Sequence, residues 1–329
     1  MAHTQDRRNA YAHVTPSHEV LLWPFIRSCL TEYHIDVGED LHMLAQEGSL
    51  WFIQYELQKH SQSLSPSPRL EAEPYIHGSA LNSANRVHFL KFTYEEMSTD
   101  ALYYFNTFNM LYFILDRQHF MEVTLPKVAE NGFEDGDFDS IIALLVFALG
   151  KVAVDGTFSS PLENGMPFQS GLRGGTLERP PGLDIFNEAR QRFGFVANQC
   201  SIKSIEISLL SAIYYESCGR HLDCWHATLA ASSAFQIMMK CTAIDWFTIR
   251  GNILKRLYWT CRLIEDWYYF DLDLPRTEIC DYEDNVPLPG ELWGQSTEED
   301  QQTVMHLLAM IALHRVVTRI HKFIFNGMY

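Results

Sequence analysis

A charged pair inside an aromatic segment is the first feature of the sequence that could do chemistry. In YWTCRLIEDWYY (258–269), Arg262 and Glu265 lie one helical turn apart, among rings that include Trp259 and Trp267. One interpretation is an ion pair that stabilises its own helix. The other is a guanidinium that faces a cavity and binds a carbonyl or enolate oxygen, for which its planar fork is suited. We expect Arg262 to be a catalytic donor and the two tryptophans to bind substrate.

A second set of candidates lies in SAIYYESCGRHLDCWHATLAASSAFQIMMKC (211–241), where polar groups are interspersed among apolar ones. Tyr215 and His226 are candidate catalytic donors, and Trp225 is a candidate substrate contact. Gln236 lies on the same helical stripe as Trp225. Because a buried amide without a partner costs a few kcal/mol, Gln236 must either bond within the protein or face a cavity. We expect it to bind substrate.

Asn109 and Tyr112, in YYFNTFNMLYFILDRQHF (103–120), are expected to line the opposite wall of the same pocket. Their side chains combine an apolar environment with a donor or acceptor. Such a pocket, with aromatic walls and a few hydrogen-bonding groups, is typical of small-molecule sites.

Three histidines follow one stripe of the last predicted helix, and they exclude a shared metal ion. His306, His314 and His321 are separated by seven or eight residues, which corresponds to about 10–12 Å of helix rise. A single metal with bonds near 2 Å cannot reach all three. We expect His314 to act as an acid or base and His306 and Met310 to bind substrate; the alternative is that the histidines are hydrogen-bonded in the core.

Motifs for nucleotides, metals and covalent catalysis are missing from the sequence. It contains no GxSxG, no P-loop and no CxxC pair, and the glycine-rich GLRGG (171–175) has no Walker lysine. The acidic DGDFD (135–139) does not have the spacing of a calcium loop. We therefore predict a site without a metal and a protein without a cofactor.

Composition restricts the partners. The 329 residues carry a net charge of −16, with 25 Lys and Arg against 41 Asp and Glu. This balance disfavours direct nucleic-acid binding. The seven cysteines are typical of a reducing compartment, and the longest apolar run is too short to span a membrane. We expect an intracellular, cytoplasmic protein with a hydrophobic small molecule as its partner; a homodimer is compatible with this prediction.

Helical periodicity dominates the chain, and we predict an all-α fold, organised as a single domain over residues 1–329. Residues 157–182 are predicted to form a long loop because they are rich in glycine and proline. Helices are predicted at 41–59, 140–154, 183–195, 204–218, 222–241, 252–269 and 297–323. The 140–154 helix is apolar on all sides, which is typical of a buried helix.

The order of four segments resembles a known family. The segments are YYFNTFNMLYFILDRQHF (103–120), SIIALLVFALGKVAV (140–154), the block 201–236, and ILKRLYWTCRLIEDWYYFDLDLP (253–275) with the following VPLP (286–289). They are similar to blocks of the middle homology, or regulatory, region of fungal zinc-binuclear-cluster transcription factors, over roughly residues 15–325. The resemblance implies an all-helical domain that senses small molecules and has an internal hydrophobic pocket.

The chain departs from that family at its start. The six-cysteine DNA-binding cluster, the basic linker and the heptad segment are absent, so we expect a regulatory-type domain that stands alone. By analogy with orphan proteins of fungal biosynthetic clusters, we expect a cofactor-free cyclase, of the Diels–Alder type, that acts on a polyketide- or terpenoid-derived secondary metabolite. The alternative is a ligand-sensing transcriptional regulator that lacks its own DNA-binding domain and would be nuclear.

Overall fold

The computed structural model describes residues 17–36, 38–61, 92–158, 180–290 and 298–326. Within these ranges every regular element is a helix, which confirms the all-α prediction. The predicted loop at 157–182 falls for the most part, at 159–179, outside the described residues.

Among the described residues, eleven α-helices are at least seven residues long, and two short 3₁₀ helices at Ser17–Leu22 and Glu278–Tyr282 accompany them. They are α1 (Pro24–Glu32), α2 (Glu39–Glu47), α3 (Ser49–Ser61), α4 (Tyr94–Tyr104), α5 (Leu125–Asn131), α6 (Phe138–Phe158), α7 (Leu183–Phe193), α8 (Ile202–Ser217), α9 (His221–Cys241), α10 (Ile249–Leu272) and α11 (Glu298–Asn326).

The predicted helix at 41–59 is two helices in the structure. Gly48 separates α2 from α3 with φ +66°, a conformation that glycine adopts without the steric penalty of a side chain. Between α4 and α5, the chain runs through two turns of π-helix, at Phe105–Asn109 and Phe120–Thr124. These irregular turns leave the segment 113–116 free of helix and next to α10.

Helix α6 is the centre of the core. Its residues 141–149 are almost completely buried, as the apolar sequence predicts, and α4, α7 and α8 pack around it. Contact with α4 is close at Gly150, where a Cβ atom would lie 2.2 Å from the carbonyl oxygen of Asp100. A small residue is therefore required at that crossing.

Helices α8, α9 and α10 form a second layer, which meets α6 through α8. Helix α8 begins with a capping box between Ser201 and Ser204, and α10 begins at Thr248, whose hydroxyl accepts a hydrogen bond from the Gly251 amide. Helix α10 is buried over most of its length although it contains several charged residues. Burial of charge is costly without a compensating partner, so the surroundings of each charged side chain on α10 indicate its role.

Helix α11 packs on the other elements through one side only. Val304, Leu307 and Ile311 are buried, whereas Met305 and Phe323 are largely exposed. Among the described residues, the stretch Asp300–His321 is long and apolar enough to cross a membrane by length and composition alone, with a mean hydropathy of 1.3. A single helix that meets this test is weak evidence for a membrane span.

Candidate functional site

Arg262 lies in a buried ion-pair network around Asp266. Its guanidinium contacts the carboxylate of Asp266, one turn along α10, and Nη2 lies 3.8 Å from Oε2 of Glu283. Nη1 of Arg276 lies 2.9 Å from Asp266 Oδ1, and Nε2 of His314 lies 3.1 Å from Oδ2. Arg262 and His314, both predicted to be catalytic, are thus brought together by one carboxylate.

The charge of Asp266 is maintained by these partners. Burial alone would raise the pKa of this carboxyl, but the hydrogen bond from His314 and the positive charges of Arg262 and Arg276 together lower it. The partners come from α10, the loop after α10 and α11, so the network holds these elements together. This is the chemistry of a structural anchor.

Glu265, the expected partner of Arg262, points to a different neighbour. Its carboxylate accepts hydrogen bonds from the hydroxyl of Ser232 on α9, at 2.7 Å, and from that of Thr277, at 3.1 Å. Successive helical positions differ by about 100°, which turns Glu265 towards α9 while Asp266 faces Arg262.

Of the three tryptophans predicted to bind substrate, two donate hydrogen bonds to the loop after α10 and one faces solvent. Trp259 is buried and donates from Nε1 to the carbonyl of Pro287 at 3.3 Å; Trp225 donates to the carbonyl of Pro275 at 2.9 Å. Trp267 is 66% exposed. Two of the indoles therefore fasten the 271–290 loop to the helices.

Asn109 is fully engaged in hydrogen bonds with its own segment. Its side-chain oxygen accepts from the backbone amides of Ile114 and Leu115 and from the hydroxyl of Tyr104, and its amide donates to the Leu115 carbonyl. These bonds satisfy backbone groups that the end of the π-helical turn leaves unpaired. Asn109 shapes the chain that follows it.

The remaining candidates are dispersed over several surfaces. Tyr112 donates to Glu216 at 3.1 Å, Tyr215 packs edge-on against Phe186 with ring centroids 5.2 Å apart, and His226 is exposed. The side chains of three further candidates are half-buried; these are Gln236, His306 and Met310.

A cleft of about 640 Å³ lies elsewhere, where α8, α10, the segment after α4 and the start of α11 meet. None of the predicted site residues lines it, and all of those residues belong to the described part of the chain. Its volume is within the range of small-molecule sites. Its apolar wall consists of Leu115, Phe120, Ile142, Ile202, Ile249 and Ile253.

Arg256 is the principal polar group of the cleft. Its side chain is 1% exposed, and neither Nε nor Nη1 has a hydrogen-bond partner among the described residues. The guanidinium lies over the ring of Phe113, 4.1 Å from its centroid. Burial lowers the pKa of Arg256, against the opposing charges of Asp116 and Glu206, but an arginine remains protonated. The cleft therefore contains a buried cation with free donors.

Glu206 enters the cleft from α8 and is 5% exposed. Its Oε2 lies 3.4 Å from Nζ of Lys203 and accepts no hydrogen bond with good geometry from the described residues. Burial raises the pKa of Glu206, although Lys203 and Arg256 both oppose this effect. A carboxylate that is poorly solvated in this way is a stronger base than one in water.

The sequence contains a signal for both residues. Ile249, Asn252, Ile253 and Arg256 line the cleft at helical spacing, and Glu206 is a lone acid within the apolar run IEISLL. Because a charged side chain is costly to bury without a partner, its presence in an apolar helix indicates a specific role.

No family model, curated protein or solved structure matches this chain. The resemblance to the fungal regulatory region stays a prediction, and so does the absence of a cofactor.

Proposed function

We propose that the protein binds a small molecule that occupies the cleft with an oxygen atom on Arg256. One observation carries the proposal: a nearly completely buried guanidinium has free donors at the wall of a cavity that also has an apolar side. Burying a cation without partners costs several kcal/mol. A ligand oxygen would offset this cost, so ligand binding should depend strongly on that oxygen.

The other charges of the cleft restrict the ligand further. Asp116, Glu206 and Asp300 also line it, together with Lys203 and Arg250. Because acidic and basic groups are balanced, a ligand with several negative charges, such as a phosphate ester, would be repelled as much as attracted. We therefore propose an apolar molecule with a carbonyl or a single carboxylate.

Cofactor-free cyclisation of a polyketide- or terpenoid-derived metabolite is the reaction proposed for this cleft. In such a reaction, negative charge develops on an oxygen, and a donor held in a water-poor site stabilises it. Arg256 takes the role that the sequence suggested for Arg262. The fork of the guanidinium can donate two parallel hydrogen bonds to that oxygen.

Binding can be tested without knowing the natural ligand. The probe is 11-(dansylamino)undecanoic acid, whose fluorescence rises in an apolar site, with decanoate, decanol and decyltrimethylammonium as competitors. We expect decanoate to compete at least about 10-fold better than decanol, since a charge-assisted hydrogen bond contributes about 1.5–3 kcal/mol. Arg256→Met should remove this preference.

Arg319→Met is the matched control, because Arg319 is exposed on α11 and does not line the cleft. It should bind all three competitors as the wild type does. Equal binding of decanoate by wild type and Arg256→Met, or a preference for the cationic competitor, would contradict the proposal.

A further inference from the structure

We infer that Glu206 is a proton-transfer residue of this cleft, which removes a proton from a carbon acid whose oxygen is bound by Arg256. The inference rests on the proposed binding site and assigns it a reaction. Two opposite charges, each nearly completely buried, line one cavity from neighbouring helices, Glu206 from α8 and Arg256 from α10. A base and an oxyanion donor on the same cavity are the parts that proton abstraction next to a carbonyl requires.

The two groups are not neutralised by each other in the way that an ion pair would be. No contact within ion-pair distance joins them, and Nε and Nη1 of Arg256 and Oε2 of Glu206 lack hydrogen bonds among the described residues. By contrast, the buried carboxylate of Asp266 has Arg262, Arg276 and His314 within ion-pair distance. A ligand between Glu206 and Arg256 could therefore meet both without breaking a contact between them.

The surroundings of Glu206 favour an accessible base. Burial raises the pKa of Glu206 and makes its carboxylate more basic, while the positive charge of Lys203 at 3.4 Å opposes this effect. The other charged or titratable groups that act on Glu206 or line its cleft are Asp139 at the start of α6, Arg256 on α10, Asp116 and His119 from the segment before α5, Arg250 at the start of α10, and Asp300 on α11.

The proposed step balances without an oxidant or a cofactor. A carboxylate oxygen of Glu206 takes the proton from the carbon beside a ligand carbonyl. The C–H electron pair becomes a carbon–carbon double bond, and the carbonyl π electrons move to the oxygen. The resulting enolate oxygen is held by the guanidinium of Arg256, and its carbon is a nucleophile that could close a ring. Proton return from Glu206 completes the cycle.

The probe for this activity is 5-nitrobenzisoxazole, a flat apolar carbon acid. A base removes the proton on its ring carbon, the C–H electron pair forms the nitrile, and the N–O bond breaks to release a coloured cyanonitrophenolate. We expect the wild-type protein to accelerate this elimination over free acetate at equal concentration. The rate should fall as the pH drops through the raised pKa of Glu206.

Three variants separate a proton-transfer role from a structural one. Glu206→Gln should lower the rate by about 100-fold or more, and Glu206→Asp, which keeps a carboxylate, should retain part of it. Arg256→Met should lower the rate less, because the phenolate is a stable leaving group. Glu216→Gln is the control: burial also raises the pKa of this carboxyl, but Glu216 does not line the cleft, and the variant should be as active as the wild type.

Binding of the dansyl probe distinguishes failure of this inference from failure of the proposed function. If the wild type binds the probe but shows no elimination, or if Glu206→Gln binds it and eliminates as fast as the wild type, Glu206 is not the base and the binding site stands. If Glu206→Gln does not fold, a rate for Glu206→Asp that is unchanged from wild type overturns the inference. If the wild type binds no probe, the proposed function itself fails.

Discussion

Two buried arginines on α10 should respond in opposite ways to the same substitution. Arg256 and Arg262 are six residues apart, so they leave the helix about 120° from each other. Both side chains are buried, with 1% and 4% of their surfaces exposed. Methionine keeps most of the aliphatic volume of either arginine and removes the charge and the donors. The pair of variants therefore isolates the effect of the guanidinium.

Arg262→Met should destabilise the protein. The substitution removes one of the cations around Asp266, whose carboxylate is completely buried. Breaking a buried ion pair costs about 3–5 kcal/mol, because the remaining charge stays in a medium that solvates it poorly. Arg276 and His314 still contact Asp266, so we expect the lower end of that range, about 3 kcal/mol.

Arg256→Met should stabilise the protein. It removes a cation whose Nε and Nη1 donate to no described residue, and each unsatisfied buried donor costs about 1–3 kcal/mol. The loss of its contact with the Phe113 ring opposes this gain by about 0.5–2 kcal/mol. For the two donors together, the net effect should be a stabilisation of up to about 5 kcal/mol, together with the loss of ligand binding.

Chemical unfolding in urea, followed by circular dichroism, measures both variants on the same scale. We expect the midpoint to rise for Arg256→Met and to fall for Arg262→Met, with similar slopes. If both variants lose about 3 kcal/mol, Arg256 has a structural role, and the reasoning from its burial is refuted. A binding residue that lowers stability is a common trade-off between function and stability.

Three further predictions concern the fold. Gly150→Ala should lower the free energy of unfolding in urea by about 1–3 kcal/mol or more, because its Cβ would lie 2.2 Å from a carbonyl oxygen of α4. Gly290→Ala is the control and should be neutral, since no atom lies within 4 Å of its Cβ. Asp266 has a lowered pKa in the folded state, so its stabilising effect should be complete above about pH 4, the ordinary range of the unfolded carboxyl. The effect should be lost as the pH falls through the lowered value. Asp266→Asn should therefore be less stable at pH 7, and its free energy of unfolding should depend less on pH at the acid end. Burial raises the pKa of the Cys224 thiol to about 12, whereas Cys200 is exposed, so a thiol-disulfide reagent at pH 8 should label Cys200 rapidly and Cys224 only on unfolding.

The positions of the long helices could be predicted from the sequence. Apolar residues at a period of 3.6 marked the helix at 222–241, observed at His221–Cys241, and the uniformly apolar stretch at 140–154 marked the buried α6. The break at Gly48 was not predicted, because a single glycine is tolerated within a helical pattern and only its left-handed backbone ends the helix.

The sequence by itself determined that the site contains charged side chains in apolar surroundings, where burying them is costly. Both Arg256 and Arg262 meet that description, as both lie in one continuous buried helix. Local spacing could not distinguish them, because the groups that matter come from distant parts of the chain. The loop after α10 and helix α11 bring Arg276 and His314 to the Asp266 that Arg262 contacts. On the face of α10 that carries Arg256, the tertiary packing instead leaves a cavity. A buried cation is an anchor when its neighbours neutralise its charge, and a ligand-binding group when they only desolvate it. Only the three-dimensional arrangement of the helices decides between the two.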